Sequence, residues 1–114
     1  MTAQVKSAGA QPAFNFRCGG KLYRLDITAR LVCNIEDELG PLSDLARRFH
    51  GGRWRMGDVI TLMHMFLQAC GESIDFYDLG DALLREGFAQ PLATVQRFMT
   101  AAGLDIQPQQ RIPA

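Results

Sequence analysis

Residues Phe14–Gly40 read FNFRCGGKLYRLDITARLVCNIEDELG, and this stretch decides the fold. Phe14, Phe16 and Cys18 alternate with Asn15 and Arg17. Beyond Gly19-Gly20, Tyr23, Leu25 and Ile27 alternate with Arg24 and Asp26, and only Leu22 departs from the alternation. Period-two runs on both sides of a Gly-Gly pair predict a β-hairpin. Its apolar face must pack on something, because an isolated hairpin is marginal in water. The chain then enters a helix with Thr28 as N-cap. Leu31, Val32, Ile35 and Leu39 form that helix's apolar stripe, while Glu36, Asp37 and Glu38 face water. Gly40-Pro41 stops it.

Helical spacing continues down the chain. Leu42, Leu45, Ala46 and Phe49 recur at i, i+3, i+4 and i+7, and Gly51-Gly52 ends the run. The segment 57–70 is apolar nearly all round: Val59, Ile60, Leu62, Met63, Met65, Phe66, Leu67, Ala69 and Cys70 leave only Thr61, His64 and Gln68 as a narrow polar stripe. Such a helix is buried or meets a partner, and it is expected at the centre. A fourth helix over 74–86 carries Phe76, Leu79, Ala82 and Leu83. A fifth carries Pro91 in its first turn and Leu92, Val95, Met99 and Ala102 along its stripe. The expected fold is mainly α, of α+β type: an N-terminal β-hairpin and about five short helices in a compact bundle. It forms one domain over 13–104, between a disordered lead at 1–12 and a disordered tail at 105–114.

Composition narrows the function. The chain has 114 residues, enough for one domain and one core. Twelve basic and twelve acidic side chains cancel, so no global field draws it to nucleic acid or an anionic membrane. The first dozen residues hold no apolar segment of a signal peptide, and the apolar run 59–70 is too short to span a bilayer. A cytoplasmic protein is expected. Cys18, Cys33 and Cys70 are odd in number and widely spaced, which fits neither a disulfide framework nor a zinc site. They read as small apolar fillers.

Nothing in the sequence forms a catalytic constellation, and no pattern calls for a cofactor or a metal. His50 and His64 lie on different helices without a second ligand one turn away. Glu36, Asp37 and Glu38 are adjacent on a helix and point in different directions. Gly19-Gly20-Lys21 lacks the spacing and the following helix of a phosphate loop. The concentrated surface chemistry is Arg47, Arg48, Phe49, His50, Arg53, Trp54 and Arg55, with four arginines and the sole tryptophan inside nine residues. Arg and Trp are enriched at protein-binding hot spots. Arginines with an aromatic also suit nucleic acid. Cations at a helix C-terminus and an indole covering the core account for the same residues without any partner. Of these, a protein-binding surface at Arg47, Arg48, Phe49, Arg53, Trp54 and Arg55 is the functional expectation.

The order of these elements resembles the gene transfer agent family of small tail proteins, related to siphophage tail-assembly chaperones and also labelled tail tube proteins. Members show a hairpin of the form G-x-x-Y-x-L-x-L/I, matched here by Gly20-Lys21-Leu22-Tyr23-Arg24-Leu25-Asp26-Ile27. A helix ending L-x-x-I/L-E-x-x-x-G is matched from Leu31 through Ile35-Glu36 to Leu39-Gly40. A short L-x-x-L-A-x-R-F-x-x-G helix is matched by Leu42-Ser43-Asp44-Leu45-Ala46-Arg47-Arg48-Phe49-His50-Gly51-Gly52, and Asp58-Val59-Ile60 opens the long apolar helix that follows. The resemblance covers residues 14–102; Trp54, Met63 and Met65 lie outside its pattern. It implies a non-enzymatic role in building a phage-like tail, with tape-measure and tail tube proteins as partners, no membrane and no specific nucleic acid. Association with a second copy of the chain stays open. The runner-up reading is a small helical DNA-binding regulator. Zero net charge and the hydrophobicity of 57–70 weigh against it, because a recognition helix needs an exposed polar face.

Overall fold

The computed structural model describes residues 11–104. The parts of the expected lead and tail at 1–10 and 105–114 lie outside the described residues. The hairpin pairs β1 (Ala13–Cys18) antiparallel with β2 (Lys21–Asp26), in the register Phe14↔Leu25, Phe16↔Tyr23 and Cys18↔Lys21. Gly19 and Gly20 both have positive φ, 61° and 77°, as a two-residue primed turn requires. The ladder is prolonged below the strands: Ile27 N–H donates to Pro12 O at 2.8 Å, and the Gln11 amide donates to Ile27 O at 2.7 Å.

Five helices follow: α1 (Ala29–Leu39), α2 (Leu42–His50), α3 (Met56–Ala69), α4 (Phe76–Glu86) and α5 (Ala89–Ala101). Thr28 caps α1 as expected, its hydroxyl accepting from Leu31 N–H at 3.1 Å. Pro41 cannot cap α2 with a side chain, and α1 supplies the missing acceptor: Leu42 N–H donates to the Glu36 carboxylate at 2.8 Å. Glu36 therefore has a bond to make at the corner between the helices, besides facing water. The fourth helix begins two residues later than the sequence indicated, because Asp75 is its N-cap, accepting from Tyr77 and Asp78 N–H.

The third helix is central, packing against α1, α4 and α5. Val59, Leu62, Met63, Phe66 and Leu67 are buried, while Thr61, His64 and Gln68 keep partial or full exposure. The hairpin's apolar face meets it through an aromatic cluster. Phe14 and Phe16 both lie 6.1 Å from Phe66, and Phe66 lies 4.9 Å from Phe98 on α5. Phe98 and Thr94 are fully buried although the sequence stripe omitted them. The face α5 buries is wider than that stripe, since the helix packs on β1 as well as on α3. Thr94 satisfies its buried hydroxyl by donating to Gln90 O at 3.0 Å.

Two features lock the hairpin and α4 in place. Glu72, just after α3, accepts from the Tyr23 hydroxyl at 2.8 Å and from Lys21 Nζ at 2.9 Å. Gly80 lets α4 approach α3 closely, because a Cβ there would stand 3.3 Å from Ile60 Cδ1. One sequence expectation is corrected: Cys33 is exposed and so is no core filler. It lies on the α1 flank away from Leu31 and Ile35, where solvent replaces the apolar neighbours its sequence context implied. Cys18 and Cys70 are half-buried, and burial pushes both thiols above their ordinary range.

Candidate functional site

The end of α2 and the loop into α3 gather the arginine and tryptophan cluster. The six residues come together there but divide into two sets. Phe49 is buried, and the Trp54 indole lies nearly parallel to it at 6.2 Å and to Phe88 at 6.4 Å. Trp54 is thus clamped between two phenylalanines with only part of its surface free. Arg48 is half-buried, with its guanidinium 3.3 Å from Asp58. Asp58 is the buried carboxylate of the core, only 2% exposed. It also accepts from Arg55 N–H at 3.2 Å, closing the first turn of α3, and stands 3.7 Å from the Arg55 guanidinium. Burial of a carboxylate is costly unless it is paired and hydrogen-bonded, and here it faces two guanidinium groups and accepts from one backbone N–H. Phe49, Trp54, Arg48 and Asp58 therefore form an inner, packed layer.

The outer layer is Arg47, Arg53 and Arg55, all exposed, with the 54% exposed Met56 beside them. Arg47 pairs with Asp44 one turn earlier on α2. Arg53 forms no ion pair among the described residues.

A second surface escaped the sequence. An open groove of about 470 Å³ runs between α1 and α3 below the end of β2. Leu31, Met65 and Ala69 are its apolar lining, while Arg24, Asp26, Thr28, Arg30, Asn34 and Gln68 are its polar lining. It adjoins a further hollow of about 370 Å³ through the shared Met65 and Gln68, which continues past Thr61 and His64 to Glu38 and Phe76. The polar stripe Thr61, His64 and Gln68 was the one sequence signal for it. A stripe of that kind marks the line along which neighbouring helices part. His64 is not free chemistry: its Nε2–H donates to Ile74 O at 2.9 Å, and its ring stands edge-on to Phe76 at 5.5 Å. It ties α3 to the start of α4.

No group of three or more His, Cys, Asp or Glu among the described residues could hold a metal ion. No helix among them is long and apolar enough to cross a membrane.

A family model described as "Phage tail tube protein, GTA-gp10" matches residues 11–103. The chain belongs to this gene transfer agent tail family. The match covers the hairpin, all five helices and both surfaces described above. No curated protein and no solved structure matches the chain. The match relates the chain to phage tail tube proteins, and its surfaces are to be read for tail-associated partners.

Proposed function

We propose that this member of the gene transfer agent tail family is a non-enzymatic tail-assembly chaperone, acting in the bacterial cytoplasm, that holds an amphipathic helix of a tail partner in the groove between α1 and α3. The observation that carries this reading is the groove, with its apolar lining of Leu31, Met65 and Ala69 beside polar residues. An amphipathic helix buries its apolar stripe in a cleft of that kind. Along α1, Arg30 to Glu38 spans about 12 Å, room for about two turns of a bound helix. Met65 sits where the two hollows join. A flexible, polarizable thioether suits a site that accepts varied apolar sequences.

A tape-measure protein, which is long and helical, is the expected occupant, with the tail tube protein as the second partner recruited. The exposed arginines Arg47, Arg53 and Arg55, with the free edge of Trp54, provide a separate protein-binding surface. Co-expression with the tape-measure and tube proteins of a gene transfer agent tail, followed by pull-down, tests the function. Capture of either supports it, and capture of neither overturns it. Purified particles separate chaperone from tube subunit: a chaperone is absent from them, whereas a tube subunit is a major component.

A further inference from the structure

We propose that the unpaired edge of β2, which forms one wall of the groove, takes an extended segment of the tail partner as a third strand beside the hairpin. This contact rests on the chaperone reading and describes how the stretch flanking the bound helix is held.

The register of the hairpin shows which backbone groups are free. A two-residue turn makes Cys18 and Lys21 a pair that exchanges main-chain bonds, and such pairs recur at every second position. Phe16↔Tyr23 and Phe14↔Leu25 are therefore bonded pairs, and the bond from Ile27 N–H to Pro12 O continues the series. At the positions between them, Leu22, Arg24 and Asp26 turn their N–H and C=O groups away from β1. On the far side of the hairpin the outward carbonyl of Asn15 is met by Arg97 of α5, which donates to it at 3.2 Å. Less covers β2. Among the described residues its one outward bond comes from the Cys70 thiol, which donates to Arg24 O at 3.4 Å, and no acceptor meets the N–H of Leu22, Arg24 or Asp26.

The groove opens on this edge. Its wall follows one continuous stretch of chain: Arg24 and Asp26 from β2, Thr28 at the cap, then Arg30, Leu31 and Asn34 from α1. Met65 and Ala69 of α3 complete the lining, and the Cys70 bond holds the end of α3 beside β2. A helix lying along α1 leaves the N–H groups of Arg24 and Asp26 without acceptors, because its own carbonyls are bonded within it. An extended stretch supplies them. Exposed sheet edges take peptides in this way, main-chain bonds giving affinity and the sites for alternate side chains giving specificity.

Leu22 gains a role in this contact. It is the one break in the alternation of the hairpin, an apolar side chain 56% exposed on the solvent face beside the free edge. A third strand lays a side chain next to it. Lys21, Arg24 and Asp26 put charge along the edge, which discourages indiscriminate pairing. The segment selected is one of alternating pattern, with apolar side chains towards Leu31, Met65 and Ala69 and polar ones beside the Arg24–Asp26 ion pair.

Backbone amide exchange in the full chain, read residue by residue by NMR with and without the tape-measure protein of a gene transfer agent tail, tests the contact. The amides of Arg24 and Asp26 are expected to exchange quickly in the free chain and slower by about tenfold or more in the complex. Those of Tyr23 and Leu25, bonded within the hairpin, should already be slow in the free chain. Asp26→Pro removes an outward N–H at an edge position, where proline is tolerated, and Asp26→Thr removes the same carboxylate but keeps the N–H. The proline variant is expected to bind about tenfold more weakly than the threonine variant, as the loss of one main-chain bond gives. Binding with unchanged exchange at Arg24 and Asp26 overturns the added strand and leaves the helix in the groove. Equal binding by the two folded variants does the same. No binding by the wild type overturns the chaperone reading and the added strand together.

Discussion

The Arg48 guanidinium lies 3.3 Å from the carboxylate of Asp58, which the fold has almost entirely removed from water. One of the arginines that looked like surface chemistry is thereby part of the interior. The same carboxylate closes the first turn of α3 by accepting from Arg55 N–H. Arg48→Ala should therefore cost stability, about 1–3 kcal/mol for a buried acceptor left short of a partner. Asp58→Ala should cost a similar amount by losing the turn-closing bond as well. Urea unfolding followed by circular dichroism reads both. Arg53→Ala, with no ion pair to lose, should unfold with the wild-type midpoint.

Phe66 is fully buried where hairpin, α3 and α5 converge. Phe66→Ala should cost about 3–5 kcal/mol, as large-to-small changes at packed aromatic positions do. A melting temperature equal to wild type would remove α3 as the central helix.

Much of this framework was legible in the sequence, for reasons that can be named. Period-two alternation around Gly19-Gly20 set both the hairpin and its inward face, because a pleated strand offers no other way to sort side chains. Thr28, Gly40-Pro41 and Gly51-Gly52 marked helix ends through local backbone chemistry. Two misses are local, the Asp75 cap that starts α4 and the Glu36 bond to Leu42 N–H, and the others are non-local. The buried face of α5 was drawn too narrow because Phe98 meets the hairpin, more than 70 residues upstream. The neighbours of Cys33 in sequence point to the interior, whereas α1 turns that flank to solvent. Asp58 reads as an ordinary acid in the first turn of a helix, and only the folded chain brings Arg48 over it. The groove is a property of α1 and α3 together, and no window on either helix alone displays it.

The clamp between Lys21, Tyr23 and Glu72 predicts a pH dependence. Hydrogen bonds from Lys21 and then Tyr23 hold the Glu72 carboxyl below its usual value of 4.5. A carboxyl lowered in the folded state stabilises above its unfolded pKa, and that contribution is lost as pH falls through the folded value. Burial, followed by the bond to Glu72, pushes the Tyr23 hydroxyl up to about 12. Its contribution is therefore present below 10 and lost as pH rises through about 12. Melting temperatures recorded between about pH 3 and 7 should fall less steeply for Glu72→Gln than for wild type. Parallel curves for the two proteins would show that the clamp contributes nothing in solution.

Duplex DNA should not be bound with sequence preference. The chain carries no net charge, and Arg48 and Arg55 both face Asp58. Any association should vanish at moderate salt, since few phosphates can be neutralised. A gel shift that persists at physiological salt on one defined site would point to a regulator instead.

The central claim is that the groove between α1 and α3 holds a helix of a tail partner. Isothermal titration of a gene transfer agent tape-measure protein, or its helical segments, into the purified chain tests it most directly. Asn34→Arg places bulk and charge in the polar lining of the groove from an exposed position. Binding to wild type with a loss of at least 2 kcal/mol in Asn34→Arg, about thirtyfold in affinity, is the predicted result. Equal binding by a folded Asn34→Arg variant, or no binding by wild type, would contradict it.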